Sequence, residues 1–232
     1  MSDLPGFNTA LRPADAPTWM KTLVDTARDG SIHGGLSQRA RAAARSQAQM
    51  SAVLMLFSGR TAAEAEILLT HRTPTMRSHS GQIAFPGGRI DPDDSGAIDG
   101  ALREAWEETG LDRRTVTPVA ELAPLAIHAT GNPVVPVLGF WHEPRELPVV
   151  SPLENDDIFR ASISELARPT NRFLVRNGDW VGPAFWHRGY VVWGFTGGLL
   201  AATMRFAGWE EPWDPIEIDL RTALRSSRNN EP

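Results

Sequence analysis

The sequence predicts an α/β fold in which a mixed β-sheet lies between helical layers. Three observations lead there. Residues 51–57 and 66–70 are apolar runs on either side of Gly59 and read as two strands joined by a turn. Ile98, Ala101, Leu102 and Ala105 recur at helical spacing and predict a short helix with one buried face. Beyond it, further strand candidates alternate with a late helical pattern, which suits strands covered by helices.

Taken in order, residues 1–15 are polar and Pro-containing and predict irregular chain. From Pro17 the spacing of Met20, Leu23, Val24 and Ala27 predicts an amphipathic helix, with Gly30 as its stop. Residues 31–47 carry Gly34-Gly35 and an Arg/Ala-rich run that reads as a helix or an arm. After the two strands and the short helix, residues 121–127 and 134–141 are strand candidates, separated by the turn signal Thr130-Gly131-Asn132-Pro133. Residues 158–166 fit a strand or a helix, and 190–195 fit a strand end or a helix entry. Residues 199–206 predict a helix, and 229–232 a frayed tail. The organisation expected is an N-terminal extension over 1–47, one domain over 48–225, and a tail over 226–232.

At 232 residues the chain can bury a good core as one domain with extensions. Its formal charge of −5 argues against nucleic acid as the main partner. It contains no cysteine, which excludes disulfides, thiolate metal ligands and a Cys nucleophile. No apolar run reaches the roughly 18 residues needed to cross a bilayer, and the N-terminus lacks a basic region followed by an apolar stretch. A cytoplasmic protein without a membrane partner is the default expectation. Trp180, Trp186 and Trp193 are close in sequence and read as core or interface residues before ligand platforms. The apolar C-terminal third could supply a homodimer interface.

The short helix carries the chemistry. Opposite its apolar face, Glu104 and Glu108 are i,i+4 neighbours with Glu107 one step round, so three carboxylates share one side. Like charges so placed repel, and a cluster of hard oxygen ligands is what Mg²⁺ or Mn²⁺ takes. Arg103 stands i,i+4 from Glu107 and can fix a carboxylate rotamer. A charged helix face is ordinarily a solvated surface, but the upstream context weighs against that here. Gly87-Gly88 follows an apolar run and Phe85-Pro86; paired glycines admit close backbone approach, and a Gly88 carbonyl could complete a metal shell. Arg72, Arg77, His79 and Gln82, just before the glycines, offer donors to an anionic ligand.

The stretch Gly88 to Leu111 resembles the Nudix box, Gly-x5-Glu-x7-Arg-Glu-U-x-Glu-Glu-x-Gly-U, where U is aliphatic. Arg103-Glu104-Ala105-Trp106-Glu107-Glu108-Thr109-Gly110-Leu111 matches the second half throughout; in the first half Asp94 stands at the Glu position, separated from Arg103 by eight residues rather than seven. Leu68-Leu69-Thr70-His71-Arg72 and Arg77-Ser78-His79-Ser80-Gly81-Gln82-Ile83-Ala84-Phe85-Pro86-Gly87-Gly88 are similar to the signature of the coenzyme A pyrophosphatase branch of that superfamily, with Ser80 where many relatives have Pro. Residues 131–136 and Val192-Trp193-Gly194-Phe195-Thr196 extend the likeness over roughly residues 48–206.

The resemblance implies an α/β/α sandwich whose strand–loop–helix motif sets the glutamates at one rim of the sheet. It implies a Mg²⁺- or Mn²⁺-dependent hydrolase of the diphosphate of coenzyme A or an acyl derivative, yielding 4′-phosphopantetheine and adenosine 3′,5′-bisphosphate. Glu104, Glu107, Glu108 and Gly88 are the metal-site candidates, and Arg103, Glu104, Glu107 and Glu108 the catalytic set. Arg72, Arg77, His79 and Gln82 are the candidate substrate contacts, and Glu154 is a further candidate base or ligand from a later loop. The alternatives are a Nudix hydrolase of ADP-ribose, NADH or another nucleoside diphosphate derivative, and a non-catalytic nucleotide-sensing module of the same fold.

Overall fold

The computed structural model describes residues 8–35, 50–76, 79–127 and 131–231. Strands β1 (Ser51–Ser58), β2 (Glu66–Arg72), β3 (Ile83–Ala84), β4 (Gly87–Arg89), β5 (Val116–Glu121), β6 (Leu125–Ala126), β7 (Pro133–Trp141) and β8 (Asn155–Ser162) form one eight-stranded sheet. Its path is β3-β2-β1-β7-β5, with β4 paired to β1, β6 to β7 and β8 to β2. The sheet is mixed: β1 runs parallel to β7, pairing Leu54 with Val137, and antiparallel to β4, pairing Ala52 with Gly88.

β1 is apolar almost end to end because both faces of the sheet are covered. Leu54 and Leu56 face helix α2 (Ala97–Thr109) and pack with Ile98, Ala101, Leu102 and Ala105, the face expected from their spacing. Met55 and Phe57 face the opposite layer, formed by helix α1 (Lys21–Arg28) and helix α4 (Gly194–Ala207), where Leu23, Val24, Leu199 and Leu200 are buried. Met20, Leu23, Val24, Ala27 and Ile32 therefore belong to the main core, so this part of the expected N-terminal extension is integral to the domain. The Arg/Ala-rich run over 36–47 lies outside the described residues.

The ambiguous stretch 158–166 holds both alternatives, the end of β8 followed by the short helix α3 (Ile163–Ala167). The stretch 190–195 likewise ends strand β11 (Tyr190–Val192) and enters α4. A second, four-stranded sheet has the order β11-β10-β9-β12, with β9 (Arg172–Asn177), β10 (Trp180–His187) and β12 (Glu217–Asp219). Trp180, Trp186 and Trp193 pack against its own small core, and Trp186 stacks on Phe173 with centroids 5.0 Å apart. Helix α5 (Leu220–Arg225) leads to the C-terminus. There the expected frayed tail is overturned, because Asn229 is fully buried and hydrogen-bonded to Gly81 and Val191. No described helix is long and apolar enough to cross a membrane.

α2 is anchored at its start by a buried ion pair. Arg113 Nη2 donates to Asp99 Oδ1 at 2.6 Å, and the Ser95 N–H and hydroxyl donate to Asp99 Oδ2 at 3.0 and 3.1 Å. Burial alone pushes Asp99 up, but the Ser95 and Arg113 bonds outweigh it and hold the carboxyl below its ordinary range. Arg113→Met leaves that carboxylate buried without its cation and is expected to cost about 3 kcal/mol in denaturant unfolding, whereas adding Asp99→Asn recovers most of the loss. Equal instability of the single and double variants would contradict the pairing.

Candidate active site

The acidic face of α2 arises from its packing. With Ala101, Leu102 and Ala105 on the sheet, the helical turn brings residues 104, 107 and 108 to the rim beside β4. The three glutamates differ in depth: Glu107 is exposed, Glu104 half-buried, and Glu108 buried. Gly110 takes the left-handed conformation at φ 68° and ends the helix two residues beyond Glu108.

Arg103 organises the rim. Its Nε and Nη2 donate to the two oxygens of Asp94, each at 2.9 Å, and Nη1 donates to both Glu104 Oε1 and Glu107 Oε2 at 3.1 Å. Nη2 also donates to the Arg89 carbonyl at 2.8 Å and lies 3.6 Å from Asp91. These bonds, above all that to Asp94, strengthen the guanidinium's hold on its proton, and Arg103 emerges as the orienting group expected from its spacing. Asp94 stands at the deviant position of the box and anchors the arginine while also accepting the Asp91 N–H at 2.8 Å. Sequence reasoning left Asp94 out of the site; its place in the motif was the available signal.

Gly88 pairs with Ala52, and its bare α-carbon lies against the Glu104 carboxylate, where any side chain would collide. The Gly87 N–H donates to Glu108 Oε2 at 3.2 Å, joining the glycine strand to the helix. Arg72 Nη1 stands 4.0 Å from Glu108 Oε1, an ion pair too long for a hydrogen bond. Its Nε is buried and has no acceptor among the described residues.

Of the other expected contacts, His79 and Gln82 are neighbours, with His79 Nδ1 3.0 Å from Gln82 Oε1. Ser80, in place of Pro, closes the loop by donating to the Pro74 carbonyl. Arg77 lies outside the described residues. Glu154 is exposed in its loop, and its backbone carbonyl accepts from Thr73 N–H at 2.8 Å. Its negative charge reaches Glu108.

The electrostatics follow burial. Desolvation pushes Glu108 up to about 7, opposed by Arg72 and the Gly87 N–H and reinforced by the charges of Glu104 and Glu154. Glu104 is raised too, mainly by burial and further by Glu107 and Asp91, against the pull of Arg103. Among the described residues no three carboxylate or imidazole groups are gathered into a closed metal cage, since Arg103 bridges Glu104 and Glu107. By its chemistry the donor set suits a hard divalent ion: oxygen ligands only, one of them buried and raised chiefly by that burial.

A mixed sheet between helical layers, with a glycine-bearing strand and an acidic helix meeting beside an arginine, defines a Nudix-fold phosphate hydrolase. The chain belongs to the Nudix family, whose NUDIX domain matches residues 48–170, more than half of its length. It is 37% identical over 142 residues to a protein of Escherichia coli named uncharacterized Nudix hydrolase NudL, covering 58% of this chain and 71% of that one. The protein of the same name from Photorhabdus laumondii is 38% identical over 139 residues, covering 58% and 73%. The solved structure of a Nudix hydrolase from M. smegmatis, RenU, shares 24% identity at a TM-score of 0.43, covering 51% and 73%. The protein is thus a Nudix hydrolase, of a family that acts on small nucleotide substrates and generally uses divalent metal ions.

The buried Glu108 gives metal-free protein a defined pH response. The folded state keeps this proton up to about pH 7, while the unfolded chain releases it near the ordinary 4.5. The group's contribution to stability is therefore complete below the unfolded value and is lost as pH rises through the folded one, by roughly 3 kcal/mol when fully titrated. In chelator, Glu108→Gln is expected to gain on the wild type in melting temperature from about pH 5 to about pH 8. Parallel melting profiles across that range would contradict a buried, proton-retaining Glu108.

Proposed function

We propose that the protein hydrolyses the diphosphate of coenzyme A or an acyl derivative, releasing 4′-phosphopantetheine or its acyl form and adenosine 3′,5′-bisphosphate. The observation that carries this reading is that the loop bearing His79 and Gln82 leads through β3 into the glycine strand β4, whose Gly87 N–H bonds Glu108, while Arg72 on β2, the strand paired with β3, faces the same carboxylate. The segment that resembles the coenzyme A branch is thus continuous with the catalytic rim.

The residues divide the work. Glu104 and Glu108, with Glu107 or the Gly88 carbonyl, would hold Mg²⁺ or Mn²⁺, which when bound neutralises diphosphate charge and supplies an activated water. Arg103 keeps Glu104 and Glu107 in place. Arg72 presents its buried, unsatisfied Nε beside the carboxylates, a fork suited to a phosphate oxygen. Water adds to one phosphorus as the bridging P–O bond breaks, and the bridging oxygen departs with the other phosphate and the bonding electron pair. The water's proton passes to a rim carboxylate, with Glu107 and Glu154 the exposed candidates.

Incubation with Mg²⁺ or Mn²⁺ and an equimolar mixture of coenzyme A, ADP-ribose, NADH and a dinucleoside polyphosphate tests the reading by mass spectrometry. Phosphopantetheine is the expected product, absent with Glu108→Gln, and Arg72→Ala is expected to lower kcat/KM on the order of a hundredfold. Cleavage of another member of the mixture would keep the site and overturn the substrate.

A further inference from the structure

The C-terminal residues after α5 return to the substrate loop. Arg228 N–H donates to the Gly189 carbonyl at 2.8 Å, and its guanidinium lies 4.7 Å from the Tyr190 ring centroid. Asn229, fully buried, then makes an unusually complete set of bonds. Its Oδ1 accepts from Val191 N–H at 2.8 Å, and its Nδ2 faces the carbonyls of Val191 at 3.1 Å and Gly81 at 3.0 Å and Glu231 Oε1 at 3.0 Å. The Asn229 carbonyl accepts from His71 Nε2 at 3.0 Å, one residue before Arg72. Gly81, at φ +73°, lies so close that a side chain on it would collide with the Asn229 carbonyl.

Glu231 continues the connection. Its Oε1 accepts from Trp193 Nε1 at 2.8 Å, and its backbone nitrogen and Cγ lie against Gly81, where a side chain on the glycine would collide with them. Within the loop an amide oxygen accepts only, so Gln82 Oε1 accepts from His79 Nδ1–H at 3.0 Å. That bond fixes the imidazole tautomer and leaves Nε2 as the ring nitrogen for a ligand. Asn229 bonded to Gly81, and His79 bonded to Gln82 in the same loop, thus connect the C-terminal segment to a candidate substrate contact. The loop's own backbone ties, Gly81 N–H to the Arg72 carbonyl and Arg72 N–H to the Gln82 carbonyl, bring Arg72 into the same unit.

We propose that Asn229 and Glu231 are positioning residues: the C-terminal strap fixes the 79–82 loop through Gly81 and so holds the His79–Gln82 pair in place for the substrate. The proposal rests on the reading of His79 and Gln82 as substrate contacts. A role confined to global stability differs from it, because positioning acts on the loop and on KM without altering the glutamate rim.

The test compares full-length wild type with Asn229→Ala, Glu231→Ala and Glu231→Gln by hydrogen exchange and by steady-state kinetics on coenzyme A with Mg²⁺. The alanine variants are expected to speed amide exchange at Gly81 and Gln82 about tenfold with β1 unchanged, and to raise KM about tenfold with kcat within about twofold. Glu231→Gln keeps one acceptor oxygen for Trp193 and Asn229 and is expected to fall between wild type and Glu231→Ala. If Asn229→Ala also loses protection in β1 it has misfolded, and Glu231→Ala alone decides. Unchanged loop exchange, or a fall in kcat at constant KM, would overturn the proposal. If wild type does not cleave coenzyme A, the substrate reading fails by itself, and the same KM-against-kcat comparison on whichever diphosphate is cleaved decides the strap.

Discussion

Four acidic side chains, Asp91, Asp94, Glu104 and Glu107, meet around a single guanidinium at the rim of the sheet. Left to themselves, carboxylates this close would swing apart or take up protons. Arg103 prevents both by holding Asp94 through two parallel bonds and sharing one nitrogen between Glu104 and Glu107. Its bond to the Arg89 carbonyl locks the helix to the strand that carries Gly88. Glu108 lies outside this network and so is buried with only a distant arginine and one backbone N–H for support. The alignment of Glu104 and Glu107 and the tie between the helix and the glycine strand follow from where this one arginine sits, while burial raises Glu104 and Glu108.

The same constraint explains the architecture around it. α2 must present an apolar stripe to β1 and β7 and a charged stripe to the rim, and its start is pinned by the Asp99–Arg113 pair so that the charged stripe cannot rotate. The glycines of β4 are small because the strand lies between β1 and the Glu104 carboxylate. The opposite face of the sheet, filled by α1 and α4, contributes packing and no chemistry to the rim.

Much of this was legible in the sequence because it is encoded locally. The alternation of Ala101, Leu102 and Ala105 with Glu104, Glu107 and Glu108 gives both faces of α2, and the apolar runs give β1, β2 and β7. The parts that were not legible depend on long-range contacts. Nothing near Asn229 or Glu231 in sequence indicates that their partners are Gly81 and Trp193, so polar residues at a chain end read as frayed. The second sheet escaped notice because β9 and β10 interleave Arg, Trp, Gly and Pro with few aliphatics, and their pairing sets which side chains are inside. The stretch 158–166 had no single period because a strand ends and a helix begins within it.

Calorimetric titration of the chelator-treated protein with Mn²⁺ tests most directly whether Glu104 and Glu108 are the oxygen ligands of a divalent ion. Wild type is expected to bind Mn²⁺, and Glu104→Gln and Glu108→Gln each to weaken it on the order of tenfold or more while keeping their fold by circular dichroism. Mn²⁺ affinity unchanged in both variants would place the metal elsewhere and contradict the assignment of the rim.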